Sequence, residues 1–277
     1  MFLPSRIVCL TDETVETLYL LGEQDRIVGI SRYVVRPSQA RREKPRVSAF
    51  TSANIDKILA LKPDLVLTVS DLQADIAADL IRRGLDVHAF NQRSVAGILD
   101  MIRTIGAMVG ASERAFRLLS ILETRLADSR SRTEQLPKRP RVFFEEWDDP
   151  LISAIGWVSE LIDIAGGVDI FADRANQAAA KDRVVTMEEV VTREPELIIG
   201  SWCGKKFRPE RVMARAGFDR TPAVQRQDVY EIKSSLILQP VPAALTDGLD
   251  ELRSIIQGWG CAMAGLRPKI ARSAPVG

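Results

Sequence analysis

A single histidine, His88, serves a chain of 277 residues. That scarcity argues against a zinc centre, which draws mostly on cysteine and histidine, and against a histidine-based nucleophilic triad, which needs a positioned base. Cysteine is as sparse: Cys9, Cys203 and Cys261 stand far apart with no CxxC spacing, so neither a disulfide nor a nucleophilic role is supported. Cys9 lies in an apolar run and reads as a small buried hydrophobe, and His88, alternating with Val87 and Ala89, reads as structural. Charge of one sign is missing too. A formal net charge of +1 gives no reason to invoke nucleic acid, and the clusters RREKPR (Arg41 to Arg46) and KKFRPER (Lys205 to Arg211) read as solvated loops. No apolar run approaches the roughly 18–20 residues that span a bilayer. Neither GxxxxGK[ST] nor GxGxxG occurs, which removes the usual phosphate cradles. The opening MFLPSRIVCLTDETVE lacks a secretory leader, because Asp12 and Glu13 arrive where an apolar core is required. The chain as written is therefore expected in the cytoplasm, and in the periplasm if the true start lies upstream.

What is present is a repeat. Ser52 to Leu67 reads SANIDKILALKPDLVL, and Thr186 to Gly200 reads TMEEVVTREPELIIG. The two align without a gap at a constant offset, 188 − 56 = 132, so that Asp56 falls on Glu188, Lys62-Pro63-Asp64 on Glu194-Pro195-Glu196, and Leu65-Val66-Leu67 on Leu197-Ile198-Ile199. In each, an apolar-periodic helix meets a proline that stops it, and a run of branched aliphatics suits a strand buried on both faces. The flanks repeat more loosely. RIVCL (Arg6 to Leu10) and RVFFEEW (Arg141 to Trp147) precede helices that end at Gly22 and Gly166, the residue type that most readily takes a left-handed cap. LDVHAF (Leu85 to Phe90) and QDVYEI (Gln227 to Ile232) supply later strands, and VAGILDMIRTIGAMVG or AALTDGLDELRSIIQGW closes each half.

These matches predict an α/β protein of two similar lobes, each with a mostly parallel central sheet flanked by helices: residues 1–110, then 137–259. Between them, ASERAFRLLSILETRLADSRSRTEQL (residues 111–136) carries apolar residues at helical spacing with no interior proline, and Pro137 and Pro140 stop it. At about 1.5 Å per residue one such helix reaches on the order of 35–40 Å and makes a stiff connector. Residues 260–277 show no periodicity and are expected to be disordered.

Ligands of open parallel sheets bind beyond the carboxyl ends of the strands. That rule selects Thr11-Asp12-Glu13 and Ser70-Asp71 in the first lobe, and Glu145 to Asp149 and Ser201-Trp202-Cys203-Gly204 in the second. Trp147 and Trp202 are expected at the strand ends of one lobe and Tyr33 and Phe50 in loops of the other, four aromatics on facing lobe edges that suit a large flat apolar ligand. The EEWDDP cluster offers a competing reading, a carboxylate-dependent hydrolase or metal-dependent enzyme using Glu145, Glu146, Asp148 and Asp149. Consecutive positions on an extended segment point to alternate faces, however, so at most two or three of these groups converge on one site.

The paired lobes joined by one long helix, the NIDKILALKPDLVL unit, the GISRY and VSAF loops, and the EEWDDP…W-x-x-E-L-I-x-x-A-G-G segment (Glu145 to Gly167) resemble the class III substrate-binding proteins of ABC importers. That family includes receptors for cobalamin, ferric siderophores and haem, and the similarity covers about residues 6 to 257. The cobalamin-binding branch is most similar, through EW-x-DP, the AGG segment and Cys203-Gly204.

The resemblance implies a non-enzymatic, monomeric binding protein that captures a corrinoid in the cleft between two lobes, for import or intracellular handling, with a ferric siderophore or haem as the alternative ligand. It implies no cofactor beyond the bound ligand, for which cobalamin is the candidate, and no resident metal. The family's ligand-facing aromatics correspond to Tyr33, Phe50 and Trp147; Trp202 is added from its strand-end position alone. The family's two permease-docking acids correspond to Asp56 and Glu188, one per lobe for a permease dimer, although the family usually has glutamate at both. Lys181-Asp182-Arg183 stands where the cobalamin receptors can present another aromatic.

Overall fold

In the computed structural model, residues 3–133, 136 and 138–263 are described. The chain divides into two units, one comprising Met1–Glu123 with Gln239–Pro242 and the other Thr124–Leu238 with Ala243–Gly277.

The sheet of the first unit has the order β3-β2-β1-β4-β5, with β1 Ile7–Cys9, β2 Ile27–Ser31, β3 Arg46–Ser48, β4 Leu65–Val69 and β5 Val87–Phe90. Every neighbour is parallel. The two central strands carry the aliphatic runs: Ile7, Val8, Cys9, Val66 and Leu67 are buried, and with Leu10, Val47, Ile58 and Leu80 they build the core. Fully burying such a side chain contributes about 1.5–3 kcal/mol, which is why the strands covered on both faces are the apolar ones. The strand character of GIS and VS, read from the sequence as loops, comes from pairing: β2 and β3 lie on the open side of β1, and only the residues after Ser31 and Ser48 leave the sheet.

The second unit repeats the plan with one reversed strand. Its sheet runs β10-β9-β6-β7, from β6 Arg141–Asp148, β7 Leu151–Ser153, β9 Leu197–Gly200 and β10 Val229–Glu231, and β8 Val168–Asp169 pairs with β6. β9 and β10 are parallel to their neighbours, whereas β7 folds back antiparallel on β6 through the turn at Asp149-Pro150. Phe143, Phe171, Phe207 and Phe218 are fully buried in its core.

The repeated proline unit has a specific shape. Lys62 and Glu194, the residues before the two prolines, both take left-handed backbone, with φ of 47° and 43°. A residue before proline is kept out of right-handed helix, and a left-handed one costs a non-glycine residue about 1–2 kcal/mol, so a partner is needed to hold it. In both units that partner is an arginine at the start of a central strand: Arg6, just before β1, donates from Nε to the Lys62 carbonyl at 3.0 Å, and Arg141, the first residue of β6, donates from Nε to the Glu194 carbonyl at 3.0 Å. The acid after each proline completes the clasp, since Asp64 accepts the Arg6 N–H at 2.9 Å and Glu196 accepts the Arg141 N–H at 3.1 Å.

One helix runs unbroken over Ser112–Thr133, and the division between the units falls inside it; the end of the connecting helix expected at residue 136 meets residues 134 and 135, which lie outside the described residues. The last helix, Asp247–Met263, extends past the expected limit at 259 because Ile256, Trp259 and Gly260 are buried, so residues 260–263 are helical rather than part of an unstructured tail. The remainder of that expectation, 264–277, lies outside the described residues. Among the described residues no helix is long and apolar enough to cross a membrane.

Candidate functional site

At the carboxyl edge of the first sheet, four apolar side chains stand in the open on the loops leaving three strands. Tyr33 is 55% exposed, Val35 43%, Phe50 43% and Leu72 52%. Exposed large apolar groups gathered at one sheet edge point to a binding surface rather than to chance. The loops after β3 and β4 are held by a buried amide. Gln73 Nε2 donates to the Phe50 carbonyl at 2.9 Å and to the Leu10 carbonyl at 3.3 Å, while its Oε1 accepts the Val69 N–H at 3.1 Å. One side chain thus ties together the ends of β1 and β4 and the loop after β3. On the other flank Asp12 accepts the Val35 N–H at 3.4 Å.

Beneath this edge lie carboxyl groups that burial holds far from their ordinary behaviour. Burial, with Glu13 next to it, pushes Asp12 up to about 8, and burial pushes Glu13 up to about 7. Glu13 is 2% exposed, and its Oε1 has no hydrogen-bond partner among the described residues.

The second unit spends its carboxylates on ion pairs. Glu145 is fully buried, accepts the Trp202 indole N–H at 2.9 Å and is forked by the Arg215 guanidinium. Burial raises its pKa, against the pull of Arg215 and Trp202. Glu146 receives both terminal nitrogens of the buried Arg183 at 2.6 and 3.1 Å. Asp148 pairs with Lys205, whose ammonium lies 4.0 Å from the Trp147 ring centroid and 4.9 Å from that of Trp202. Asp149 sits exposed in the turn, its carbonyl accepting the Trp147 indole N–H at 2.9 Å. Glu145, Glu146 and Asp148 therefore each face a separate cation, Asp149 is exposed in the turn, and the four carboxylates of EEWDDP form no shared acid–base pair. Among the described residues no group of three or more His, Cys, Asp or Glu side chains is placed to hold a metal ion.

The residues singled out from the sequence fall into distinct settings. Tyr33 and Phe50 are exposed at the first sheet's carboxyl edge. Trp147 is half-buried, with Lys205 against its ring. Trp202 is a correction: it is 3% exposed and stacks edge-on with Phe207 at 4.9 Å, so it is a core residue with no free face for a ligand. The cause is the return of KKFRPER, expected to be a solvated loop. A Cβ on Gly200 would collide with the Phe207 ring, and only glycine there lets Phe207 fold down over β9. Asp56 and Glu188 are both exposed on short helices, capped by Asn54 and by the Thr186–Glu189 capping box. Neither has a partner among the described residues. His88 is half-buried on β5 with its ring 4.4 Å from Phe90, and burial lowers its pKa.

Leu72 and Gln73 escaped the sequence reading. Both follow Ser70-Asp71, already marked as a strand end, but nothing local distinguishes an anchoring glutamine from a solvated one. Arg183, the basic departure noted in Lys181-Asp182-Arg183, is buried because its guanidinium answers Glu146 and the Ser153 carbonyl.

A family model described as periplasmic binding protein matches residues 7–236. A vitamin B12-binding protein of Vibrio cholerae is 29% identical over 254 residues, covering 88% of this chain and 86% of its own. An uncharacterised ABC transporter substrate-binding lipoprotein of Bacillus subtilis is 26% identical over 262 residues, covering 91% of this chain and 80% of its own. In fold, the chain matches a periplasmic haem-binding protein from Roseiflexus with a TM-score of 0.77 at 21% identity, over 91% of this chain and 99% of that one.

Proposed function

The chain belongs to the periplasmic binding protein family, and from that premise we propose that it is a substrate-binding protein that captures a corrinoid, cobalamin-like ligand for ABC-type import or for handling inside the cell. The observation that carries the reading is the open apolar edge of the first unit, where Tyr33, Phe50 and Leu72 are exposed on loops leaving three strands and the Phe50 loop is fixed by Gln73. Rigid aromatic anchors suit a broad, stiff ligand that loses little conformational entropy on binding. The named function of the Vibrio cholerae relative and the transporter class of the Bacillus subtilis relative support the choice.

The enzyme reading loses its ground in the second unit. A hydrolase of the paired-carboxylate kind needs two carboxyl groups facing one substrate, and here Glu145, Glu146 and Asp148 each neutralise a different cation. Asp56 and Glu188, exposed and unpartnered at matching places in the repeat, serve in this reading as the docking acids for a two-fold permease; acids in a first helical turn are also stabilised by the helix dipole, by about 0.3–1 kcal/mol.

The test is retention. Purified protein mixed with cyanocobalamin and passed through gel filtration should carry corrinoid absorbance at one per chain, with calorimetry giving the same stoichiometry. Tight retention of haem or a ferric siderophore in place of any corrinoid would move the ligand assignment to those classes, and retention of none of the three would overturn the reading.

A further inference from the structure

A concavity of ≈ 530 Å³ opens in the first unit between the edge strand β3 and the helix Ile55–Ala60. Its size falls within the usual range of small-molecule sites. Of its nine lining residues three are cations, Arg32, Arg46 and Lys57, and none is acidic. Among the described residues neither Arg32 nor Arg46 has a carboxylate partner. Lys57 Nζ donates to the Arg46 carbonyl at 2.6 Å, which fixes the ammonium in place and leaves its other N–H groups to point elsewhere. The wall also holds Ser48, 8% exposed, whose hydroxyl has no hydrogen-bond partner among the described residues. Buried hydroxyls are almost always satisfied, so an orphan lining a cationic hollow asks for an acceptor from outside.

We propose that this concavity is an oxyanion subsite, taking a carboxylate or phosphate group of the ligand whose flat face rests on Tyr33 and Phe50. Guanidinium forks match the paired oxygens of such groups, and the Ser48 hydroxyl supplies a further donor. Continuity along the chain joins the two surfaces: Arg32 lines the hollow and lies 5.7 Å over the ring of Tyr33, and Ala49 lines it immediately before Phe50. The preference for an oxyanion stands on this geometry alone. Its attachment to a corrinoid rests on the function proposed above, in which case the group is the phosphodiester of the nucleotide arm that cobalamin has and cobinamide lacks.

The experiment uses the whole chain, as wild type, Arg46→Gln and Ser48→Ala, with melting curves to establish that each variant folds. Calorimetric titrations with inorganic phosphate and with citrate distinguish phosphate from carboxylate as the preferred group. Saturable binding of one of them, weakened at least about tenfold by Arg46→Gln, less by Ser48→Ala, and by added salt, is expected for a charge-assisted contact. In parallel, Arg46→Gln should weaken cobalamin by a similar factor and leave cobinamide unchanged. Failure of both anions to saturate the wild type, or equal binding by Arg46→Gln, overturns the subsite. Anion binding lost in Arg46→Gln without retention of any corrinoid upholds the subsite and overturns the corrinoid reading alone.

Discussion

Arg141 donates from its side chain to the carbonyl of Glu194 at 3.0 Å, holding a left-handed residue in front of Pro195, and Arg6 does the same for Lys62 in front of Pro63. Both clasps link the start of a central strand, Arg6 just before β1 and Arg141 at the head of β6, to the turn that feeds its neighbour. Arg141→Ala and Arg6→Ala should each lower stability by about 1 kcal/mol, the worth of a typical net hydrogen bond, as measured by urea unfolding. Two variants indistinguishable from wild type would mean that the prolines alone hold the turns.

Glu145 gives the sharpest division between a structural and a catalytic carboxylate. It is fully buried against Arg215 and the Trp202 indole, so Glu145→Ala strands a guanidinium in the core and should destabilise by about 3–5 kcal/mol. A catalytic role predicts the opposite pattern, a folded variant of undiminished stability, and thermal melting separates the two.

Trp202 and Phe50 should respond differently to the same truncation. Trp202→Ala removes a core side chain and should cost about 3–5 kcal/mol of stability. Phe50→Ala removes an exposed ring and should leave the melting temperature near wild type while weakening corrinoid binding by about 1–3 kcal/mol, the range for losing a binding anchor. Calorimetry paired with melting curves reads both, and a Phe50→Ala variant that binds as wild type would remove the first unit's edge from the site.

The buried acids make stability depend on pH with a definite sign. Asp12 and Glu13 titrate at about 8 and about 7 in the folded chain, against about 3.9 and 4.3 when unfolded. Between those values the folded state holds protons that the unfolded state has released, so stability is greatest at acid pH and falls as pH rises through about 8. His88 works the other way, since burial lowers its pKa and its contribution grows only up to about pH 6.5. Melting temperatures from about pH 6.5 to 8.5 should therefore decline, and Glu13→Gln should decline less steeply than wild type. A slope unchanged by Glu13→Gln would show that Glu13 ionises freely in the folded chain.

The two-lobed α/β plan could be read from the chain because its cause is local and repeated. Helix periodicity, proline stops and aliphatic runs at Leu65-Val66-Leu67 and Leu197-Ile198-Ile199 are written twice at one offset, and a strand covered on both faces needs little more than that run. Tyr33 and Phe50 came from the resemblance, as aromatics on the GISRY and VSAF loops; that they stand exposed just beyond β2 and β3 was decided by the pairing of those strands.

Trp202 was misread because its fate depends on a residue five positions later. Phe207 must fold back over Gly200, and Arg215 must come in beneath Glu145, before the indole is covered; sequence spacing states neither contact. Gln73, Arg183 and the cationic hollow around Ser48 were hidden likewise, since an amide, a guanidinium or a hydroxyl takes its role from whichever carbonyl, carboxylate or empty space the fold brings opposite it. The sequence by itself determined the architecture, through short-range periodicity and burial. The tertiary structure alone decided which polar groups are paired in the core and which are left open to a ligand, because that depends on partners brought together from distant parts of the chain.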